Sequence, residues 1–329
     1  IMATYKEIRG TNIEVLASDP SNPVEGQVWF NSTDNVLKGQ AATTAGSWAT
    51  VNSMNTARMG VASATSGTAT ATLVFGSLSS APGATESWNG SNWTEVNDMN
   101  TSRDTLAGSG TQTSALGFGG NSPPGANLKN ETELWNGTNW TEVNNLGTAR
   151  RIIGGAGADN TAAVAFGGLS PPTTAVTELW NGTNWTEVND LNTAGYGRAG
   201  LGTSTAALAI GGDPGSTANT ETWNGTNWTE VNNLNQGRVY GAASGTTTAG
   251  LFSGAQNSPG TTLYALTEEW NGTNWAETTN LNTARSQLAG SGVNSTSGLV
   301  FGGGAPSATG ATEEWTGPGA GVTRTFTDS

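Results

Sequence analysis

Tryptophan recurs in this chain in two interlocked series, and that recurrence limits the fold more than any other feature. One series runs Trp48, Trp93, Trp140, Trp185, Trp228 and Trp275, at spacings of 45, 47, 45, 43 and 47 residues. The other runs Trp88, Trp135, Trp180, Trp223, Trp270 and Trp315. In five places the two are joined as Trp-Asn-Gly-(Thr/Ser)-Asn-Trp. Self-similarity at such a period signals an array of one supersecondary unit, each too small to bury its apolar face without its neighbours.

Each unit reads as four short strands. Around residues 150–188, strand A is small and Gly-rich (153–157), and strand B is apolar (Ala162–Phe166) and ends at Gly167-Gly168. Strand C covers 176–180 and strand D Trp185–Val188. No segment has helical periodicity, and Gly and β-branched residues are too frequent for helices. The Gly-Thr loop between C and D suits a type II′ turn, which sets the two Trp opposite each other. Burying one Trp removes roughly 150–250 Å² from water, a gross gain of about 4–6 kcal/mol. The pairs therefore read as structural pegs rather than platforms for a sugar.

The small residues of strand A, such as Gly154, Gly155, Ala156 and Gly157, fit strands that converge on a crowded axis. The larger residues of strand B (Leu73, Phe75, Leu116, Phe166, Ile210, Leu299, Phe301) fit the space between neighbouring units. The last unit stops at Trp315 without a second Trp, and the first unit holds only a strand D, Ser47–Val51. Pairing the spare strand with the incomplete unit gives the expected architecture: an all-β, six-bladed β-propeller over 45–317, closed by its N-terminal strand.

Residues 1–40 precede it, and 318–329 follow as a tail. Val28-Trp29-Phe30, residues 31–35 and Val36-Leu37 read as a hairpin, too small to fold alone. It is expected to anchor the chain to other proteins or to further copies of itself, with Trp29 and Phe30 as contacts and a homo-oligomer as one outcome. Ile1 ahead of Met2 suggests that the natural start lies elsewhere, and the first residues lack the apolar stretch of a signal peptide.

Composition narrows the chemistry. There is no Cys and no His, which removes thiolates, the commonest general base and the commonest metal ligand. No catalytic residue, metal or cofactor is expected. A net charge of −13 opposes nucleic acid, and no apolar run is long enough for membrane insertion by a helix. The Glu residues mostly recur at repeat positions, which argues for structure over glycosidase chemistry.

Two charged series invite a functional reading. Arg58, Arg103, Arg150, Arg238 and Arg285 each lie ten residues after a Trp of the first series; the fourth repeat has Gly195 there and Arg198 three residues on. Glu86, Glu133, Glu178, Glu221, Glu268 and Glu313 each lie two residues before a Trp of the other series. The arginines form either a basic ring at a channel mouth, able to hold an anion, or a ladder of Arg–carboxylate bonds between blades. Their one-to-one match with glutamates favours the ladder. Asn-x-Ser/Thr triplets such as Asn136-Gly137-Thr138 recur with the turn and read as turn chemistry rather than glycosylation.

An Arg before strand A, a Gly-Gly after strand B and spaced aromatics on C and D resemble kelch repeats. Gly119-Gly120, Gly167-Gly168, Gly211-Gly212 and Gly302-Gly303 match the doublet, with departures at Gly76-Ser77 and Ser253-Gly254, and Trp stands where kelch strands usually carry Tyr. Kelch-type copper-radical oxidases need His and a Cys-linked Tyr, which this chain lacks. The stretch from Leu16 to Gly39 and the end from Val322 to Ser329 resemble kelch-like structural proteins of tailed bacteriophages, notably those of marine bacteria. That resemblance implies a non-enzymatic virion protein, assembled in the host cytoplasm, on a tail fibre or other appendage. A purely structural decoration and a glycan-cleaving enzyme are the rival readings.

Recognition is expected where the repeats differ. The B–C loops (77–85, 121–132, 169–177, 213–220, 255–267 and 304–312) vary in length and sequence, whereas the C–D turns are nearly identical. Varied loops on a rigid scaffold suit binding of a host surface glycan or protein. The candidates are Pro123, Asn127, Lys129, Pro171, Asp213, Asn257 and Tyr264, with Pro-Pro pairs at 123–124 and 171–172.

Overall fold

The computed structural model describes residues 13–21, 27–40, 45–79, 81–123, 127–319 and 323–326. Among them there is no helix. The chain divides into two units, 47–317 and 1–46 with 318–329.

The larger unit is a succession of six four-stranded antiparallel sheets, repeated in the manner of a β-propeller. The third sheet consists of Gly154–Asp159, Ala162–Phe166, Thr177–Trp180 and Trp185–Val188, paired in chain order as A to D. Sheets one, two, four and five follow the same plan over 62–96, 107–143, 199–231 and 242–278. The sixth is composite. Ala289–Asn294, Ser297–Phe301 and Thr312–Thr316 are joined by Ser47–Val51 from the other end of the unit, which sets Trp315 opposite Trp48.

In all six sheets the two Trp face each other, with ring centroids 5.2–5.5 Å apart and planes tilted by 41–47°. The strand C Trp donates its indole N–H to a carbonyl in the A–B turn of its own sheet, as Trp180 does to Asn160 at 3.0 Å. The strand D Trp reaches back to the preceding sheet. Trp93, Trp140, Trp185, Trp228, Trp275 and Trp48 donate to the hydroxyls of Thr312, Thr85, Thr132, Thr177, Thr220 and Thr267 at 2.9–3.1 Å. The first sheet thus bonds to the sixth as each other sheet bonds to its predecessor. The apolar core has the same layout: six clusters, each shared by two consecutive sheets, including one that joins Phe301 and Leu299 to Trp88 and Trp93.

Glycine is required at two kinds of place. Strands A of neighbouring sheets pass so closely that a Cβ on Gly200 would fall 2.2 Å from the Gly155 carbonyl oxygen. The other place is the first residue of the doublet. Gly119, Gly167, Gly211, Gly254, Gly302 and Gly76 all have φ between 60° and 72°. The matching pair in the fifth sheet is therefore Gly254-Ala255, a correction to the expected Ser253-Gly254.

The smaller unit contains a sheet in the order Glu14–Leu16, Val28–Asn31, Val36–Gln40, Thr323–Thr325. The expected hairpin is its centre, with Trp29 opposite Lys38. Asp19 accepts hydrogen bonds from Asn31 (2.8 Å), Lys38 (2.9 Å) and Trp29 Nε1 (3.0 Å), which together hold its carboxyl down at about 2. Trp29 is completely buried. Trp29 therefore has no surface for the anchoring contact expected of it, and Phe30 alone of that pair is partly exposed.

Gly119→Ala is expected to lower stability by about 2–5 kcal/mol, because φ is +63° and the new Cβ would meet Ile153 Cδ1 at 2.2 Å and the Arg150 carbonyl at 2.8 Å. Gly215→Ala, at φ +84° with nothing within 4 Å, is expected to lose only about 1–2 kcal/mol. Urea denaturation of both variants checks the difference; equal losses would show that the doublet is not tightly packed.

Candidate functional site

The connectors from strand D of one sheet to strand A of the next meet the B–C loops on one face. Each connector carries the repeated Arg, and the Arg is buried. Arg58, Arg103, Arg150, Arg238 and Arg285 are 0% exposed and Arg198 is 4% exposed. Arg58, Arg103 and Arg150 donate to Glu86, Glu133 and Glu178 at 2.7, 2.9 and 3.0 Å, and Arg238 donates to Glu268. Arg285 Nη2 lies 3.0 Å from Glu313 Oε1 as an ion contact in a geometry too bent for a hydrogen bond. Burial pushes these guanidinium groups below their ordinary range, and the glutamates oppose that shift. Each Glu also accepts from connector amides, as Glu133 does from Asn100 N at 2.7 Å and Thr101 N at 3.3 Å.

The arginines are therefore not a basic ring at a channel mouth, because five of the six have no surface to offer an anion and Arg198 has almost none. They fasten each connector to strand C of the sheet it enters. The fourth repeat keeps the fastening by another route. A Cβ on Gly195 would sit 2.6 Å from Arg198 Nε, so the displaced arginine fills the vacated slot. There it lies 3.8 Å from Glu221 and donates to the Thr193 carbonyl at 3.2 Å.

Two residues beyond the repeated position come Gly60, Thr105, Ile152, Gly197, Tyr240 and Gln287. All six adopt φ between 49° and 65°. Each amide donates to the carbonyl of the one before, at 2.7–3.2 Å, and Gly60 N donates to Gln287 O. The result is a closed cycle of six backbone hydrogen bonds. A second cycle surrounds it, in which the second doublet residue donates to the carbonyl at the repeated Arg position of the next sheet. Ser77, Gly120, Gly168, Gly212, Ala255 and Gly303 donate to Arg103, Arg150, Gly195, Arg238, Arg285 and Arg58 at 2.8–3.2 Å. Left-handed backbone costs a β-branched residue such as Ile152 or Thr105 about 1–2 kcal/mol. The cycle of bonds offsets that strain.

The inner cycle rims a recess of ≈ 220 Å³. Sequence reasoning missed both the cycle and the recess. The available signal was the variation directly after the repeated position: Met59-Gly60, Asp104-Thr105, Arg151-Ile152, Tyr196-Gly197, Val239-Tyr240 and Ser286-Gln287.

The loop candidates separate into two groups. Pro123, Asn127 and Pro171 are exposed. Asn127 lies on a two-stranded ribbon, Asn121–Ser122 with Asn127–Leu128, and Pro124 falls outside the described residues. Asp213 is buried, a correction to its assignment as a surface contact. It accepts from the Tyr196 hydroxyl, the Ser216 amide (3.1 Å) and Ser258 Oγ (3.2 Å), and so ties two loops together. Desolvation raises its pKa, but these bonds outweigh it and hold the carboxyl below its ordinary range; Tyr196 is pushed up to about 12, chiefly by the bond to Asp213. Asn257 closes its own loop by accepting from Thr262 N at 2.7 Å. Lys129 is ion-paired with Glu131 at 2.9 Å. Tyr264 is half-buried, with its backbone bonded to Ala255 and Arg285.

The opposite face is uniform for a physical reason. Asn52, Asn97, Asn144, Asn189 and Asn232 each donate to the turn Asn of the next sheet at 2.8–3.0 Å. The Asn that opens each turn caps it, as Asn136 Oδ1 does for Thr138 N and Asn139 N. The series lapses at Thr279, which faces the composite sheet, where no C–D hairpin exists.

No protein-family model matches the chain, and no curated protein matches it. Among solved structures it is similar to the structure of YjhT, with a TM-score of 0.66 and 13% sequence identity over 84% of this chain and 99% of that one. The likeness is one of fold. It carries no residue role across.

Glu133→Gln leaves the Arg103 guanidinium buried without a counter-charge, and is expected to lower stability by about 3–5 kcal/mol. Glu187→Gln, on an exposed strand D position, is expected to stay within about 0.5 kcal/mol. Urea midpoints of the two variants compare them directly; equal effects would remove the Arg–Glu fastening from its structural role.

Proposed function

We propose that this chain is a non-enzymatic component of a bacteriophage virion, a tail fibre or appendage protein that binds a host surface glycan or protein. In this reading residues 47–317 are a six-bladed, kelch-type propeller closed by Ser47–Val51. Three sets of bonds that return from the sixth sheet to the first support that count and that closure: the Trp–Thr bonds, the doublet amides and the inner backbone cycle.

The observation that carries the functional reading is where the two phage-like stretches lie. Residues 16–39 and 322–329 flank the repeats in sequence, yet Val28–Asn31, Val36–Gln40 and Thr323–Thr325 are strands of one sheet in a unit of their own. A small module built from both ends suits attachment to other virion proteins or to further copies of the chain. The repeats then present one face whose side chains are used up in bonds between sheets and one whose loops differ. Of the candidate loop residues, Pro123, Asn127 and Pro171 are exposed and are the ones offered to a host receptor.

Gold-labelled antibody against 47–317, applied to intact purified virions and viewed by electron microscopy, tests this reading. Label at fibre tips or the distal tail is the expected result. Label spread over the capsid would make the chain a decoration protein, and unlabelled particles would end the virion reading. Shortening of host polysaccharide by the purified chain would favour the glycan-cleaving alternative.

A further inference from the structure

Arg151 stands apart from the other cations. Every other Lys or Arg whose side chain is described lies against a carboxylate; Arg151 does not. Its Nε is buried with no hydrogen-bond partner. It lines the recess inside the backbone cycle. Gln287 lines the same recess from the opposite side, three steps round the cycle of six, and its Oε1 is buried with no donor. Arg198 is at the rim too, but its guanidinium is turned to Glu221 and Thr193.

The Arg151 guanidinium is a half-buried cation with no protein partner, across the recess from Gln287, and such a cation favours an incoming anion. Between them the wall is apolar, from Leu106, Ile153 and Leu288, with Tyr240 beside it. Burial and the Asp213 charge push the Tyr240 phenol up, while Arg151 acts in the opposite sense, so the charge of Arg151 is felt inside the recess.

We propose that the recess binds a small organic carboxylate, held by the Arg151 guanidinium, with its body against the apolar wall. One free cation matches one negative charge, and a phosphate dianion is poorly served in a chain of net charge −13. The volume of ≈ 220 Å³ is below the roughly 300–1,000 Å³ of drug-sized pockets, which limits the ligand to a compact acid. The site goes beyond the virion reading and does not depend on it.

The test uses the full chain with 4-hydroxybenzoate, 3-hydroxybutyrate and N-acetylglycine as probes, each beside its neutral amide, by ligand-observed NMR and calorimetry. At least one acid is expected to bind, at least about tenfold tighter than its amide. Arg151→Gln is expected to weaken that acid about ten- to hundredfold, with Arg151→Lys in between and an unchanged thermal melt. The proposal is overturned if no acid binds, if acids and amides bind alike, or if Arg151→Gln binds as well as the parent chain.

Discussion

The buried arginine of five of the six connectors joins two sheets at once, and the other regularities of 47–317 follow from it. Its guanidinium is fastened to a glutamate on strand C of the sheet the connector enters, as Arg103 is to Glu133. Its carbonyl accepts an amide from the sheet before, as Arg103 O does from Ser77. That carbonyl lies so near the preceding strand B that only glycine fits at the first doublet position. Two residues on, the chain turns left-handed and joins the inner cycle. The arginine, the glutamate, the doublet and the positive φ are one device seen from four positions. In the fourth repeat the arginine has moved three residues along the chain, yet its side chain occupies the same slot.

Tryptophan supplies the second connection between sheets. The strand D ring packs against the strand B residue of the preceding sheet, as Trp185 does on Phe118 at 4.9 Å, while its N–H reaches a threonine there. Polar bonds near the axis and aromatic packing further out therefore join the same pair of sheets. The composite sixth sheet keeps both connections, through Trp48 to Thr267 behind it and Trp93 to Thr312 ahead of it.

Much of this was legible in the chain because the repeat is strict. The tryptophan series fixed strand D of the third sheet and the apolar run before Gly167-Gly168 its strand B, both to the residue, and the spare Ser47–Val51 pairs where the incomplete unit needs it. Matching arginines to glutamates one for one pointed to a ladder between blades; the pairs are there, but each lies within one sheet, from the entering connector to strand C. The inner cycle was not legible, since it is made by backbone groups of residues as unlike as Gly60, Ile152 and Gln287. Asp213 was misread because a loop carboxylate resembles a ligand contact until its three donors are seen. Arg151 was hidden beside Arg150: only burial separates the fastened arginine from the free one. The Thr323–Thr325 strand had no signal, because three residues with no repeat carry no register of their own.

For varied loops to recognise a partner, as proposed, they must stand on a base that does not deform. That requires the six sheets to behave as a single cooperative ring, and hydrogen exchange measured amide by amide on the full chain tests this most directly. The expected result is that the amides of Gly60, Thr105, Ile152, Gly197, Tyr240 and Gln287 exchange together, at the slowest rate in the chain and in step with the strand Ser47–Val51. Fast exchange of Ser47–Val51 and the sixth sheet, with the other five sheets still protected, would contradict it and describe an open row of sheets instead.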